Sequence, residues 1–202
     1  GFGNTYLAKN IEFDETYAIK EFFVKGVCQR DGNSTTISVS NAENTNSFEQ
    51  QREKFKKEAR RLRSLSNPHI VKVYDLFEEN GTAYYVMDYV DGENLSVRLK
   101  RINAPLAESE VRNYLNQILD GLEAIHNKGM FHLDIKPANI MVDSHDVVKL
   151  IDFGASKQQS TVGGATMSTG ISYTNGYAPS EQMAQSYDKF GPWTDFYALG
   201  AT

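Results

Sequence analysis

One short stretch of the chain carries four polar residues whose types and spacing restrict what the chain can fold into. Residues 131–154 read FHLDIKPANIMVDSHDVVKLIDFG and contain Asp134, Lys136, Asn139 and Asp152. A carboxylate can accept the proton of an attacking hydroxyl group, and an ammonium group can neutralise charge that grows on a transferred phosphate. Amide and carboxylate oxygens are hard ligands of the kind that Mg²⁺ binds. The stretch therefore predicts a phosphoryl-transfer site, which the remaining sequence must hold in a folded domain.

The composition fits a globular chain without a nucleic-acid partner. The 202 residues are 40% hydrophobic and 23% charged, which is enough for one large domain or two small lobes. The 21 basic and 26 acidic residues give a net charge of -5, which argues against a nucleic-acid or membrane-surface footprint. The single Cys28 permits no internal disulfide and agrees with a reducing compartment.

The sequence also lacks the signals of a membrane-spanning or secreted segment. No run reaches the roughly 18 apolar residues that cross a bilayer, and the start GFGNTYLAKN lacks a signal-peptide pattern. We therefore expect a cytoplasmic location, either for the protein as a whole or for this segment as the cytoplasmic domain of a longer membrane-anchored protein.

The N-terminal part of the chain is predicted to be rich in strands. Two apolar runs, at residues 5–7 and 17–24, flank turn-prone residues at 13–16. Residues 26–47 are rich in Asn, Ser, Thr, Gly and Asp, which indicates a surface insertion with one weak strand near residues 37–39.

An amphipathic helix and two further strands follow. Apolar residues recur at helical spacing over residues 48–65, and Asn-Pro then ends the helix. Strand-like runs at 70–77 and 83–89, joined by a turn at 78–81, predict an antiparallel pair.

After residue 91 the pattern becomes mainly helical. Short and long helices are predicted at 95–102 and 108–127, strands at 140–142 and 147–151, and an exposed loop at 155–176. The helix at 108–127 is expected to bury two rows of apolar side chains, which are those of Val111, Tyr114, Leu115, Ile118, Leu119, Leu122 and Ile125. These elements predict an α+β chain with a β-rich lobe at 1–90 and a partial helical lobe at 91–202.

These features together resemble the eukaryotic-type protein kinase family and, in general sequence character, its bacterial serine/threonine branch. Residues 132–134 (His-Leu-Asp) stand where the family has His-Arg-Asp, and residues 152–154 form its Asp-Phe-Gly metal-binding triplet. Residues 17–20 (Tyr-Ala-Ile-Lys) match its Val-Ala-Ile-Lys strand, and Lys136 and Asn139 stand at the family's offsets. The resemblance implies one kinase domain, with a small antiparallel β lobe that contains one helix and a mainly helical large lobe.

The resemblance assigns roles to the residues of the phosphoryl-transfer site. Asp134 would act as the base, Lys136 would stabilise the transferred phosphoryl group, and Asn139 and Asp152 would bind Mg²⁺. Thr174 would bond around Asp134 together with Lys136, which is the pairing expected of serine/threonine rather than tyrosine specificity.

The resemblance also assigns the residues that would hold ATP. Lys20 would bind the α and β phosphates and be oriented by Glu58, because Glu49 and Glu53 are expected to be solvated. Gly3 would be the third glycine of the family's glycine-rich loop, since it lies 17 positions before Lys20. The other implied positions are Thr5 and Ala18 over the adenine, Met87 as gatekeeper, Asp88 to Val90 as hinge, Asn94 at the ribose and Met141 at the pocket floor. Without the family, Met87 and Met141 are equally well interpreted as core residues.

Two departures from the family pattern bear on regulation and completeness. Leu133 replaces the arginine that binds a phosphorylated activation-loop residue in many kinases. We therefore hypothesise that activity does not require a phosphorylated activation-loop residue to bind at position 133. The family's Ala-Pro-Glu triplet stands here as residues 179–181, Pro-Ser-Glu. Because the first glycines and the last helices of the family have no counterpart, we expect the chain to be truncated at both ends and this segment alone to be inactive.

Three functions remain open at this point. The leading hypothesis is an ATP- and Mg²⁺-dependent protein serine/threonine kinase that acts on protein hydroxyl groups. A catalytically inactive kinase-like ATP-binding or scaffold protein is disfavoured, because Lys20, Asp134 and Asp152 are all present. A small-molecule kinase of related fold is disfavoured by Lys136 and by the segment from Thr174 to Glu181.

Overall fold

The computed structural model describes residues 3–30, 32, 34–158 and 173–202. The chain divides into two compact units, of which the first comprises Gly1–Leu65 with Val71–Tyr89. The second unit comprises Ser66–Ile70 with Val90–Thr202.

The first unit is built on a four-stranded antiparallel sheet and one long helix. In chain order its elements are β1 (Asn4–Asn10), β2 (Glu15–Glu21), β3 (Cys28–Arg30), β4 (Ile37–Val39), α1 (Thr45–Arg63), β5 (Val73–Glu79) and β6 (Thr82–Asp88). The strand order in the sheet is β1-β2-β6-β5, while β3 and β4 form a separate hairpin. The sequence therefore predicted α1 and the β5–β6 pair correctly.

Two details of the N-terminal prediction are wrong. The turn between β1 and β2 occupies residues 11–14 and not 13–16, because Asp14 adopts a left-handed φ of 55° and Glu15 already pairs with Asn10. The Asn10 side chain stabilises this earlier turn by accepting hydrogen bonds from the amides of Glu12 and Phe13. The insertion contains two strands where the sequence predicted one, since Cys28–Arg30 pairs with Ile37–Val39.

An aromatic cluster joins α1 to the sheet. The ring of Phe22, just after β2, lies 5.1 Å from Phe48 and 5.6 Å from Phe55, and Phe55 stacks on Tyr85 of β6 at 4.9 Å. Phe48, Phe55, Ala59 and Leu62 place one apolar face of α1 in this core, as the helical spacing predicted.

The β3–β4 hairpin is anchored on a buried carboxylate of the sheet. Glu21 accepts hydrogen bonds from Asn4 at 3.0 Å, Tyr6 at 2.8 Å and Tyr84 at 2.9 Å, and it forms an ion pair with Arg30 of β3. Burial alone would raise the pKa of Glu21, but these four donors together hold it below its ordinary value. The insertion is thereby fixed to the strand that carries Lys20.

The second unit contains small sheets and six helical segments in the part of it that the structure describes. Its strands and α-helices are β7 (Gly92–Asn94), α2 (Leu95–Ile102), α3 (Glu108–His126), β8 (Met130–Phe131), β9 (Ile140–Asp143), β10 (Val148–Leu150), β11 (Lys157–Gln158), α4 (Ser180–Met183) and α5 (Pro192–Gly200). Short 3₁₀ helices cover Pro137–Asn139 and Tyr187–Lys189. The strands form one sheet in the order β10-β9-β7 and a β11–β8 pair. The predicted loop at 155–176 begins with β11, and residues 159–172 of it lie outside the described residues.

The long helix α3 buries only one of its two predicted apolar rows. Tyr114, Ile118, Leu122 and Ile125 are buried, whereas Val111, Leu115 and Leu119 are exposed at 46%, 38% and 38%. The prediction of a two-row buried stripe is therefore wrong, because neighbouring strands cover a single row of the helix. Among the described residues, no helix combines the length and the apolar character needed to cross a bilayer.

Candidate active site

The backbone of the loop that follows β8 is held by one buried carboxylate. Asp195 of α5 is fully buried and accepts hydrogen bonds from the amides of His132 at 2.9 Å and Leu133 at 2.8 Å. His126, at the end of α3, contacts the same carboxylate at 2.8 Å through Nε2. Leu133 has a φ of 63°, a left-handed conformation that is unfavourable for leucine. These contacts fix the loop in a conformation that it would not adopt by itself.

His132 is a structural residue of this loop. It is completely buried, its Nε2 lies 3.1 Å from the carbonyl oxygen of Ile151, and its ring centroid lies 4.4 Å from that of Phe153. The amide of Ile151 donates to the carbonyl of Asn139 at 3.0 Å. The segment that carries Asp152 is thereby fastened to the loop that carries Asn139.

Asp134, Lys136 and Thr174 form a closed triangle of polar contacts. Thr174 Oγ1 donates to Asp134 Oδ1 at 2.7 Å and accepts from Lys136 Nζ at 2.8 Å. Lys136 Nζ lies 2.9 Å from Asp134 Oδ2, and Asn139 Nδ2 donates to that oxygen at 2.8 Å. The Asp134 side chain is 17% exposed, so solvent can still reach this carboxylate. A carboxylate in this setting can accept a hydroxyl proton while the adjacent ammonium compensates negative charge.

The residues near the triangle fit a divalent metal of the Mg²⁺ type. Asn139 uses its Nδ2 for the carbonyl and carboxylate of Asp134, which turns its amide oxygen away as a ligand. Asp152 is half-buried and directly follows Ile151, whose amide binds the carbonyl of Asn139. No cluster of three or more His, Cys, Asp or Glu side chains in the described ranges is arranged to hold a metal. Mg²⁺ suits such a sparse oxygen set, because it is usually held by one or two carboxylates together with phosphates and water.

In the first unit, β2 and α1 bring Lys20 and Glu58 together. Lys20 Nζ lies 3.4 Å from Glu58 Oε1, and the two side chains are only 11% and 8% exposed. Glu49 and Glu53 are instead half exposed and bind Arg52 and Lys56 on the helix surface. The sequence distinguished these glutamates correctly by their position on the helix.

Other positions that the resemblance assigned to nucleotide binding also lie on the sheet of the first unit. Gly3 has a φ of +124°, and a Cβ atom there would lie 2.1 Å from the carbonyl oxygen of Glu21, so only glycine fits. Thr5 pairs with Lys20 in the β1–β2 register, and Ala18 pairs with Met87 of β6. These side chains are therefore neighbours along one part of the sheet.

The hinge and ribose positions have local structural partners as well. In the first unit, Asp88 accepts hydrogen bonds from the amide of Lys72 at 3.0 Å and the hydroxyl of Tyr74 at 2.8 Å. In the second unit, the carbonyl oxygen of Val90 accepts a hydrogen bond from the amide of Gly92 at 3.0 Å.

Asn94 and Met141 pair directly in the β7–β9 register of the second unit. Asn94 Oδ1 also accepts from the amide of Val97 at 2.9 Å and so caps α2. Asparagine immediately before a helix is an ordinary capping signal, which the sequence analysis did not use.

Sequence reasoning missed several residues that hold the site. Gln182 is buried, and its Nε2 donates to the carbonyl of Leu133 at 2.6 Å. The Leu133 side chain packs in an apolar cluster with Phe131 and Phe190. Glu181 accepts a hydrogen bond from the Thr194 hydroxyl at 3.2 Å. Only the glutamine's proximity to the 179–181 triplet could have suggested a role, because its partner is a backbone carbonyl far away in sequence.

The chain matches known kinases over its whole length. Residues 1–202 match the family described as the protein kinase domain. The chain is 33% identical over 204 residues to Mitogen-activated protein kinase kinase kinase 2 of Arabidopsis thaliana, covering 100% of this chain and 28% of that protein. It is 34% identical over 220 residues to Serine/threonine-protein kinase F of Synechocystis sp., covering 100% of this chain and 40% of that protein. The chain thus spans less than half the length of these relatives.

A solved structure shows the same fold. The chain superimposes on a structure titled PpkA-294 apo form with a TM-score of 0.85 and 32% sequence identity, covering 99% of this chain and 69% of the other. The expectation of a kinase fold is therefore confirmed. By its sequence and by its fold, the chain belongs to the protein kinase family.

Proposed function

We propose that the protein carrying this chain is a protein serine/threonine kinase, which transfers the γ-phosphoryl group of ATP to serine or threonine hydroxyl groups of proteins. The observation that supports this most directly is the triangle of Asp134, Lys136 and Thr174. In it, a carboxylate accepts a hydrogen bond from a threonine hydroxyl at 2.7 Å while an ammonium group lies within 2.9 Å. A substrate hydroxyl needs the same environment for attack on a phosphoryl group.

The chain's own residues account for each requirement of the transfer. Asp134 orients the substrate hydroxyl and takes its proton as the new P–O bond forms and the bond from the γ-phosphorus to the bridging oxygen breaks. Lys136 neutralises negative charge on the transferred phosphoryl group. Thr174 holds the side chains of Lys136 and Asp134 in position by hydrogen-bonding to both. Catalysis of this kind depends mainly on placement and charge stabilisation.

A second set of residues would hold ATP and its metal ion. Lys20, oriented by Glu58, binds the α and β phosphates, and Gly3 keeps the chain close to β2 at the glycine-rich loop. The adenosine contacts proposed above are Thr5, Ala18, Met87, Asp88, Val90, Asn94 and Met141. Asn139 and Asp152 hold Mg²⁺, which when bound shields the phosphate charges. We identify the first unit with the predicted lobe at 1–90 and the second with the lobe at 91–202.

The setting of this reaction follows from its chemistry. The partners are proteins with accessible serine or threonine residues, with no nucleic acid and no membrane contact by this segment. Because the reaction consumes ATP, we place the chain in the cytoplasm, including as the cytoplasmic part of a membrane-anchored protein.

Labelled ATP tests the proposal. The full-length protein is incubated with labelled ATP, Mg²⁺, a generic basic protein substrate and a panel of amino sugars, beside Asp134→Asn and a matched exposed control, Asp120→Asn. We expect label on serine or threonine in the wild type and in Asp120→Asn, and its loss in Asp134→Asn. Nucleotide binding without any transfer would instead identify an inactive kinase-like protein, and label on the sugars would identify a small-molecule kinase.

The metal assignment has its own test. Asp152→Asn replaces a carboxylate by a neutral amide, so we expect it to abolish the Mg²⁺-dependent part of ATP binding in a calorimetric titration. Unchanged affinity with and without Mg²⁺ would contradict the site.

A further inference from the structure

Tyr85 shares the carboxylate oxygen that Lys20 contacts. It lies on β6 directly opposite Lys20 in the register with β2, and it is 1% exposed. Its hydroxyl donates to Glu58 Oε1 at 3.1 Å, while Lys20 Nζ lies 3.4 Å from the same atom. One oxygen of a buried glutamate is thus held by two donors that come from two neighbouring strands.

The ring of Tyr85 is held by contacts with Phe55 and Lys20. It stacks on Phe55 with centroids 4.9 Å apart and an interplanar angle of 29°, and Phe55 lies one turn before Glu58 in α1. Lys20 Nζ lies 5.6 Å from the centroid of the ring. The ring therefore packs on the same helix whose carboxylate its hydroxyl binds, so the hydroxyl has little freedom to leave Glu58.

The hydroxyl satisfies a need that Lys20 alone does not meet. A buried carboxylate requires several donors, and a contact of 3.4 Å from one ammonium group is long for a charge-assisted hydrogen bond. Burial raises the pKa of Tyr85, so the hydroxyl remains a donor at every physiological pH.

We propose that Tyr85 is a positioning residue for the phosphate-binding lysine and acts through Glu58. By supplying the second donor, Tyr85 keeps the carboxylate aimed at β2 without drawing the Lys20 ammonium group fully onto it. A fixed Glu58 carboxylate in turn fixes the position of the Lys20 ammonium group, which would bind the phosphates of ATP. This inference rests on the proposed function, in which Lys20 binds those phosphates.

Removal of one hydroxyl group tests the inference, and the chain offers a matched control on the same strand. Tyr85→Phe keeps the stacked ring and deletes only the donor to Glu58. Tyr84→Phe deletes the adjacent tyrosine's hydroxyl, which donates to Glu21 at 2.9 Å and does not contact Glu58. In the full-length protein, we expect Tyr85→Phe to raise the Kd and KM for ATP by about threefold to tenfold, as for loss of a hydrogen bond to a charged group. Tyr84→Phe should leave both constants within twofold of the wild type.

A double-mutant cycle separates positioning from general stability. In a Glu58→Met background, which has no oxygen to accept the Tyr85 hydroxyl, Tyr85→Phe should have little further effect on ATP affinity. An ATP affinity that is unchanged in Tyr85→Phe, or a loss that is undiminished in the Glu58→Met background, would overturn the proposal.

Failure of this inference can be told apart from failure of the proposed function. If the wild type transfers no phosphoryl group, the proposed function fails, and the ATP affinities still test Tyr85. If the wild type does not bind ATP at all, amide hydrogen exchange in α1 decides: faster exchange in Tyr85→Phe than in Tyr84→Phe supports the positioning of Glu58, and equal rates overturn it.

Discussion

Leu133 donates its backbone amide to Asp195 Oδ1 at 2.8 Å while its own φ is 63°. A left-handed leucine costs on the order of 1–2 kcal/mol, which the hydrogen bonds of the buried carboxylate offset. The loop that carries Asp134 therefore owes its conformation to a helix far away in the sequence.

Asp195→Asn should uncouple this loop from α5. An amide oxygen can replace one of the two carboxylate oxygens, but the amide NH₂ group then faces a second backbone N–H. We expect a loss of about 2–4 kcal/mol in the free energy of unfolding together with a lower kcat, measured by denaturant titration and by phosphoryl transfer. Asp188→Asn, at an exposed position of the same unit, is the control and should change neither quantity. Equal stability of the two variants would refute this account of the loop.

Loss of phosphorylation within residues 156–172 should not abolish activity. Leu133 is 2% exposed and packs on Phe131 and Phe190, so its position offers no cation for a phosphate. We expect a protein in which every hydroxyl residue of 156–172 is alanine to retain transfer activity within about threefold of the wild type. The reason is that Leu133 makes apolar contacts and does not bind a phosphate. The wild type must first be shown to carry phosphate there by mass spectrometry. Complete inactivation of the alanine variant would show that a cationic side chain at another position binds the phosphate.

Removal of the Leu133 side chain gives the complementary result. Leu133→Ala leaves a cavity in the cluster and should lower the free energy of unfolding by about 2–5 kcal/mol. Thermal unfolding measures this loss, and a shift no larger than that of an exposed leucine-to-alanine change would contradict the packing role.

Gln182→Met should slow catalysis more than it weakens ATP binding. The substitution keeps the side-chain volume but leaves the carbonyl of Leu133 without the donor that lies 2.6 Å away. An unsatisfied buried carbonyl costs about 1–3 kcal/mol, and a shifted catalytic loop should lower kcat by roughly tenfold or more. Steady-state kinetics with ATP varied separates the two effects, with the exposed Gln50→Met as control. A rise in KM for ATP at constant kcat would be the contrary result.

The Glu21 network predicts a dependence of stability on pH. The pKa of Glu21 is lowered from 4.5 in the folded state, so its stabilising contribution is complete above that value and is lost as the pH falls through the lower folded-state pKa. Glu21→Gln should therefore lower Tm at pH 7, and the difference from the wild type should shrink as the pH falls below 4.5. Thermal unfolding at several pH values tests this, with the exposed Glu12→Gln as control. A difference that stays constant with pH would assign the effect to packing.

The sequence predicted those parts of the site whose partners are close along the chain or set by a regular period. The spacing of α1 was sufficient to choose Glu58 over Glu49 and Glu53, since one face of a helix repeats every three to four residues. The residues of the 131–154 stretch were visible because their types and offsets are themselves the signal. Family membership and fold, which these patterns indicated, are confirmed.

What the sequence did not predict depends on partners without a residue-specific signature. Gln182 binds a backbone carbonyl, and Tyr85 looked like an ordinary strand residue until the register placed it opposite Lys20. The exposed row of α3 was missed because periodicity shows which residues share a face and not how wide the covering surface is. The shifted turn at Asp14 depended on a single left-handed residue.

The apolar cluster around Leu133 also has a consequence for the ionic conditions under which the loop keeps its shape. A guanidinium–phosphate contact weakens as ionic strength rises, because mobile ions screen both charges. Hydrophobic contacts such as those of Leu133 with Phe131 and Phe190 are not screened, and sulfate or phosphate salts strengthen them. The loop that carries Asp134 should therefore tolerate concentrated salt, and its packing should loosen on cooling instead.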